Sequence, residues 1–171
     1  MNIVRKKESW RRFGTKAVLV TIAILLFFTW FVANYRITYD PQATRCIPEY
    51  RVYLVDLNDK EIVKGGLYSY SARKMQPYFA DGTKMIKYIK AVPGDTVEVR
   101  PDTSIYINNQ YSGFGLELAE ELGLDKSKFV GKGVLKDGEY WFLGNGERTY
   151  DSRYWGAVKE AQVLGRAYAL F

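Results

Sequence analysis

Between Ala17 and Ala33 the chain reads AVLVTIAILLFFTWFVA, seventeen residues with no charge and only two hydroxyls. As a helix this run spans roughly 25 Å, slightly under a bilayer's hydrocarbon core of about 30 Å. Trp10, Trp30 and Tyr35 stand where interfacial aromatics belong, and flanking residues can lengthen the span. A buried helix of a soluble core is the bland alternative. A cleaved export signal is a second one, but bulky Phe31 stands two positions before Ala33, where a small residue should be. The pattern therefore predicts an uncleaved anchor over 17–35, preceded by a basic segment over 1–16 and followed by one domain over 36–171.

Charge orients the anchor. Arg5, Lys6, Lys7, Arg11, Arg12 and Lys16 against Glu8 leave the first sixteen residues at +5, so of the chain's net +6 only +1 belongs to the rest. The basicity is a flank and not a nucleic-acid-binding face. It predicts a single-pass protein with a cytoplasmic N-terminus and the domain after Asn34 across the membrane; in a bacterial cell that is the inner membrane, with the domain in the periplasm.

Composition restricts the chemistry. With no histidine anywhere, the Ser-His-Asp triad, the Cys-His dyad and histidine-containing zinc sites are excluded. One cysteine, Cys46, permits neither an intramolecular disulfide nor a CxxC motif. No metal or cofactor is expected, and any general base must be Lys, Asp, Glu or Tyr. In an oxidising compartment an unpaired thiol is a liability unless it is buried or used.

Residues 36–171 are dense in Tyr, Val and Ile, in short runs punctuated by turn signals. YRVYLVDL (50–57), GLYSYSA (66–72), DTVEVR (95–100), SIYINNQ (104–110) and GEYWFLG (138–144) predict strands. GLELAEELGLDKS (115–127) carries leucines at helical spacing and predicts a small helical insertion. The expected fold class is mainly β, an antiparallel domain behind an N-terminal transmembrane helix.

Two stretches carry a family resemblance: MIKYIKAVPGDTVEV (85–99) and GEYWFLGNGERTYDSRYWGAV (138–158). In order, spacing and position behind an anchor they resemble the conserved boxes of the signal peptidase I superfamily, whose enzymes use a serine and a lysine without histidine. Counting back from PGD without a gap, the resemblance places the catalytic lysine on Lys87 and leaves Lys90 as a solvated strand residue. The family's nucleophile precedes a proline shortly after the anchor, and here CIP (46–48) occupies that place. The resemblance therefore implies Cys46 as nucleophile, Thr44 as an oxyanion-hole hydroxyl, Thr149 as a hydroxyl that holds the lysine amine, and Asp151 with Arg153 as a supporting ion pair. Ser152 is expected to be structural, and Tyr154, Trp155 and Gly156 to pack. The CIP spacing favours the conjugative TraF-like pilin peptidases, some of which cyclise their product. GNGE departs from the family's usual GDN, so the loop there is expected to differ, and nothing in the spacing of Glu147 marks an acid-base pair.

A base of this type must be neutral when it acts, and a free lysine near pKa 10.4 is almost wholly protonated at pH 7, so the family's lysine needs desolvation. A thiol demands less of its base than a serine hydroxyl, being roughly two units more acidic than a lysine ammonium. Attack by Cys46 would give a thioester, which favours amine over water as acceptor. The partners so implied are a pilin or other membrane-inserted precursor and the lipid bilayer. A catalytically silent relative that binds pilin or organises a secretion complex is the competing class, and a plain anchored β domain with Cys46 as a small buried hydrophobe is the third.

Overall fold

The computed structural model describes residues 9–171 except Thr44 and Glu147. The chain separates after Tyr35 into an N-terminal helical unit and a unit from Arg36 to Phe171.

The first unit is the helix α1, Trp10–Asn34, which starts seven residues before the uncharged run, since Trp10 to Lys16 hold no proline and the single Gly14 is tolerated in a long helix. At 25 residues it is about 37 Å long, and its mean hydropathy over the most apolar window is 2.3, so it is long and apolar enough to cross a membrane. Eleven large apolar side chains between Val18 and Val32 are exposed. Removing them from water is worth on the order of 15 kcal/mol or more, which no surface of the helix itself supplies. The two hydroxyls inside the run do not disturb it. Thr21 donates to the Ala17 carbonyl at 2.9 Å and Thr29 to the Leu25 carbonyl at 2.8 Å, so each is satisfied within the helix.

The second unit is built on two β-sheets. The larger contains seven strands: β1 (Tyr35–Tyr39), β2 (Val52–Asp56), β3 (Leu67–Ser71), β4 (Lys84–Ala91), β9 (Glu139–Leu143), β10 (Val158–Lys159) and β11 (Val163–Ala169), in the spatial order β1-β2-β11-β3-β4-β9-β10. The smaller contains β5 (Thr96–Val99), β6 (Ser104–Ile107), β7 (Gln110–Phe114) and β8 (Gly131–Val134), in the order β7-β6-β5-β8. The pairings from β2 onward are antiparallel. The fold is thus mainly β and antiparallel, as expected.

The sheets are joined by the PGD box. Pro93 and Gly94 occupy the middle of a turn closed by the Asp95 N–H donating to the Val92 carbonyl at 3.0 Å, and Gly94 has φ +86°. Proline followed by a residue of positive φ is the requirement of a type II turn. The Asp95 carboxylate accepts from the Val92 N–H (3.0 Å), Lys64 (2.8 Å) and the Asn108 amide (2.6 Å), tying the turn to both flanks. Asn108 and Asn109, at φ 51° and 64°, make the reverse turn between β6 and β7, where both central residues need positive φ.

The helical insertion is shorter than its leucine spacing predicts. Only α2, Glu117–Glu121, is α-helical, and a 3₁₀ turn follows at Lys126–Phe129. Gly123 at φ +65° and the Leu124 N–H bonding back to the Ala119 carbonyl close the helix there. Leu116 and Ala119 are buried against Val99 and Ile105 with Leu124 packed beside them, so these residues serve packing on the smaller sheet rather than a long helix.

Candidate active site

Strand β4 alternates buried and half-buried residues from Met85 to Ala91, and this alternation sorts the two lysines of the first box. Lys87 faces inward with Met85 and Ile89 and is only 2% exposed. Lys90 points to the opposite face, half-buried, with its ammonium 5.1 Å from the Tyr88 ring centre. It is not simply solvated: it lines a second cavity of about 270 Å³ together with Tyr111, Asn145 and Arg153.

Cys46 lies in the irregular segment between β1 and β2, and two neighbours hold its backbone. The next residue, Ile47, is 2% exposed in the cluster of Tyr53, Val55, Leu67 and Ala167. On the other side the Cys46 carbonyl accepts from the Asn145 N–H at 2.9 Å. The approach is so close that a Cβ on Gly144 would stand 2.8 Å from that carbonyl oxygen and 2.7 Å from Thr149 Cγ2. The GNGE loop therefore holds the Cys46 backbone.

Cys46 and Lys87 line one cavity of about 490 Å³, whose walls include Thr38 and Tyr39 of β1, Ile86 of β4 and Tyr150. Its rim carries the ion pair of Arg148 with Glu121 of α2. Tyr53 lines the same cavity, and its pKa is pushed up to about 12 by burial, reinforced by Asp40. It therefore stays protonated, donating to the Tyr50 carbonyl at 3.1 Å. Among the described residues, no group of three or more Cys, Asp or Glu side chains is gathered that could hold a metal ion.

Behind the cavity the second box forms a buried network. Asp151 is fully buried, caps the short helix α3 (Ser152–Trp155) and pairs bidentately with Arg153, with Nε at 2.8 Å from Oδ1 and Nη2 at 2.7 Å from Oδ2. The other side of Arg153 donates to the Gly115 carbonyl at 3.1 Å and the Gly146 carbonyl at 3.0 Å. Asp151 also accepts from the Gly144 N–H at 3.1 Å, so the pair sets the loop that holds Cys46. Burial opposes the guanidinium charge, but the bonds to Asp151 outweigh it and hold Arg153 above its ordinary pKa. Ser152 is buried and accepts from the Phe142 N–H at 3.0 Å, and Tyr154 stacks on Tyr150 with ring centres 5.1 Å apart.

The Thr149 hydroxyl faces this network: it bonds to Asp151, Arg153 and, at 3.1 Å, the Gly146 carbonyl. Thr44 and Glu147 lie outside the described residues. Sequence reasoning did not single out Tyr70, whose hydroxyl is fully buried, or Gly144. An inward tyrosine in GLYSYSA differs in no local way from a core residue.

An exposed apolar helix thus precedes an antiparallel β domain in which Cys46 and the buried Lys87 line one cavity. The chain belongs to the signal peptidase family, peptidase S26, whose model matches residues 10–171. It is similar to a probable signal peptidase I-2 of Synechocystis sp., 35% identical over 88 residues, which are 50% of this chain and 37% of that protein. The matched stretch thus spans little more than a third of the relative. The crystal structure of a signal peptidase I from Enterococcus faecalis V583 is 25% identical with a TM-score of 0.40, covering 67% of this chain and 100% of that one.

Proposed function

We propose that this protein is a membrane-anchored peptidase of the signal peptidase type in which Cys46 is the nucleophile and Lys87 its base. The observation that supports it best is the buried Lys87 sharing one cavity with Cys46. In the proposed reaction Lys87 takes the Cys46 thiol proton while Sγ attacks the scissile carbonyl carbon. The C–N bond then breaks, the proton passes from Lys87 to the leaving amine, and a thioester remains on Cys46. The Cys46 N–H, with the Thr44 hydroxyl that the family pattern suggests, stabilises the oxyanion. An incoming water or amine gives its proton to Lys87 and releases Cys46 as the thiol. The substrate is an extended, membrane-inserted precursor laid along β1, the edge strand whose Thr38 and Tyr39 line the cavity.

The finer reading is a conjugative pilin precursor, cut and then cyclised by its own N-terminal amine, in the periplasm of a bacterial cell. CIP in the nucleophile's place and the amine preference of a thioester support it. Purified full-length protein with its precursor tests both levels. Cys46→Ala and Lys87→Ala each lower processing by about a thousandfold or more, whereas Lys90→Ala leaves it measurable. Processing unchanged in either of the first two variants overturns the dyad, and a wild type that binds the precursor but leaves it uncut favours the silent, precursor-binding relative. Mass spectrometry that finds only linear product from an active enzyme overturns cyclisation. Cys46→Ser that still cleaves but no longer closes the ring ties the thiol to amine transfer.

A further inference from the structure

Once Lys87 has taken the thiol proton it is an ammonium with three N–H donors, in a place only 2% exposed. Such a charge needs oxygen acceptors around it. The Thr149 hydroxyl is engaged by Asp151 and Arg153. Among the described residues three buried side-chain polar atoms lack a partner: the indole nitrogens of Trp141 and Trp155 and the hydroxyl of Tyr70. An indole N–H only donates, so the phenol alone of the three can accept.

Tyr70 is also in the right place. On β3 it stands directly across from Met85 of β4, while Lys87 stands across from Tyr68. Tyr70 and Lys87 are therefore diagonal neighbours on one buried face, about 7–8 Å apart at their Cα atoms and within reach of two long side chains. The two tyrosines differ in what they bind. The Tyr68 hydroxyl donates to the Glu61 carbonyl at 2.6 Å and accepts from the Val63 N–H at 2.9 Å, whereas the Tyr70 hydroxyl is unclaimed. The Tyr70 ring is fixed against Phe142, with centres 4.5 Å apart. Burial above all, with Asp151 and Cys46 adding to it, holds the Tyr70 phenol well above its ordinary pKa, so it remains a neutral hydroxyl and does not compete as a base.

We infer that Tyr70 is the positioning residue of the Lys87 ammonium, its hydroxyl oxygen accepting a hydrogen bond from Nζ when the thiol proton arrives. No proton leaves Tyr70 in this step. The inference rests on the Cys46–Lys87 reading, and thiol alkylation tests the two separately without any substrate. In full-length protein in detergent at a fixed pH, Lys87→Met slows iodoacetamide alkylation of Cys46, because the thiolate loses its counter-ion. Tyr70→Phe slows it by about fivefold, the worth of one hydrogen bond, and lowers kcat on a precursor similarly with KM unchanged. Its melting temperature is unchanged or higher, since an unpartnered buried hydroxyl has been removed. Wild-type alkylation and kcat in Tyr70→Phe overturn the inference alone, as does a change confined to KM or a loss that follows the unfolded fraction. Unchanged alkylation in Lys87→Met overturns the dyad and this inference with it.

Discussion

At Gly144 the absence of a side chain is a packing requirement. A methyl there meets the Cys46 carbonyl and Thr149 at distances below van der Waals contact, and one of those two must move. If Cys46 is the nucleophile as proposed, Gly144→Ala lowers processing by at least about tenfold, since an ångström of displacement there is enough for that, while circular dichroism stays that of the wild type. Arg153 makes the opposite kind of contribution. Replacing it with Met leaves Asp151 buried without its partner, a change worth about 3–5 kcal/mol, to be read as a lower midpoint in urea. Processing by the folded Arg153→Met fraction should also fall, because the same residue holds Gly146 and, through Asp151, Gly144.

At the scale of elements, the boxes that carry the family pattern divide into chemistry and joinery. PGD is a turn between the two sheets, and its acid contributes stability in a pH-dependent way. Burial alone would raise the Asp95 pKa, but the bonds from Lys64, the Val92 N–H and Asn108 outweigh it and hold the carboxyl below the ordinary range. A depressed carboxylate adds stability that is fully present above its unfolded pKa of roughly 4 and is lost as pH falls through the lower folded value. Thermal melts below pH 4 should therefore fall more steeply for the wild type than for Asp95→Asn. Gly165 on β11 is a second joint: a Cβ would stand 2.0 Å from the Asp56 carbonyl oxygen, and backbone cannot yield as a side chain can. Gly165→Ala is expected to destabilise the domain by about 3 kcal/mol in chemical denaturation.

These joints explain what could be read from the sequence. β2, β3, β5, β6 and β9 were legible because turn residues bound each of them, and the inward placement of Lys87 follows from the two-residue period of a strand. β11 was not, because VLGRAYA interrupts its apolar run with a glycine and an arginine whose positions only the β2 and β3 pairings explain. The length of α2 depends on the left-handed Gly123, and the orientation of Thr149 on which acceptors fold beside it. Neither is a local property of the residue.

At the scale of the whole molecule, the N-terminal helix and the β domain answer to different solvents. Alkaline carbonate should leave the full chain in the membrane pellet, since no residue of α1 is buried and most of its large apolar side chains are exposed. If the proposed orientation holds, a membrane-impermeant maleimide reaches Cys46 from the periplasmic side; labelling only in inverted vesicles would reverse it. Cys46 is the chain's one sulfur nucleophile, with three thioethers as the only other sulfur. A single mass increment per polypeptide therefore reports one defined atom. If Cys46 carries the acyl group as proposed, the amount of thioester formed in the first turnover can be set against that label, giving the fraction of molecules able to react as a simple ratio.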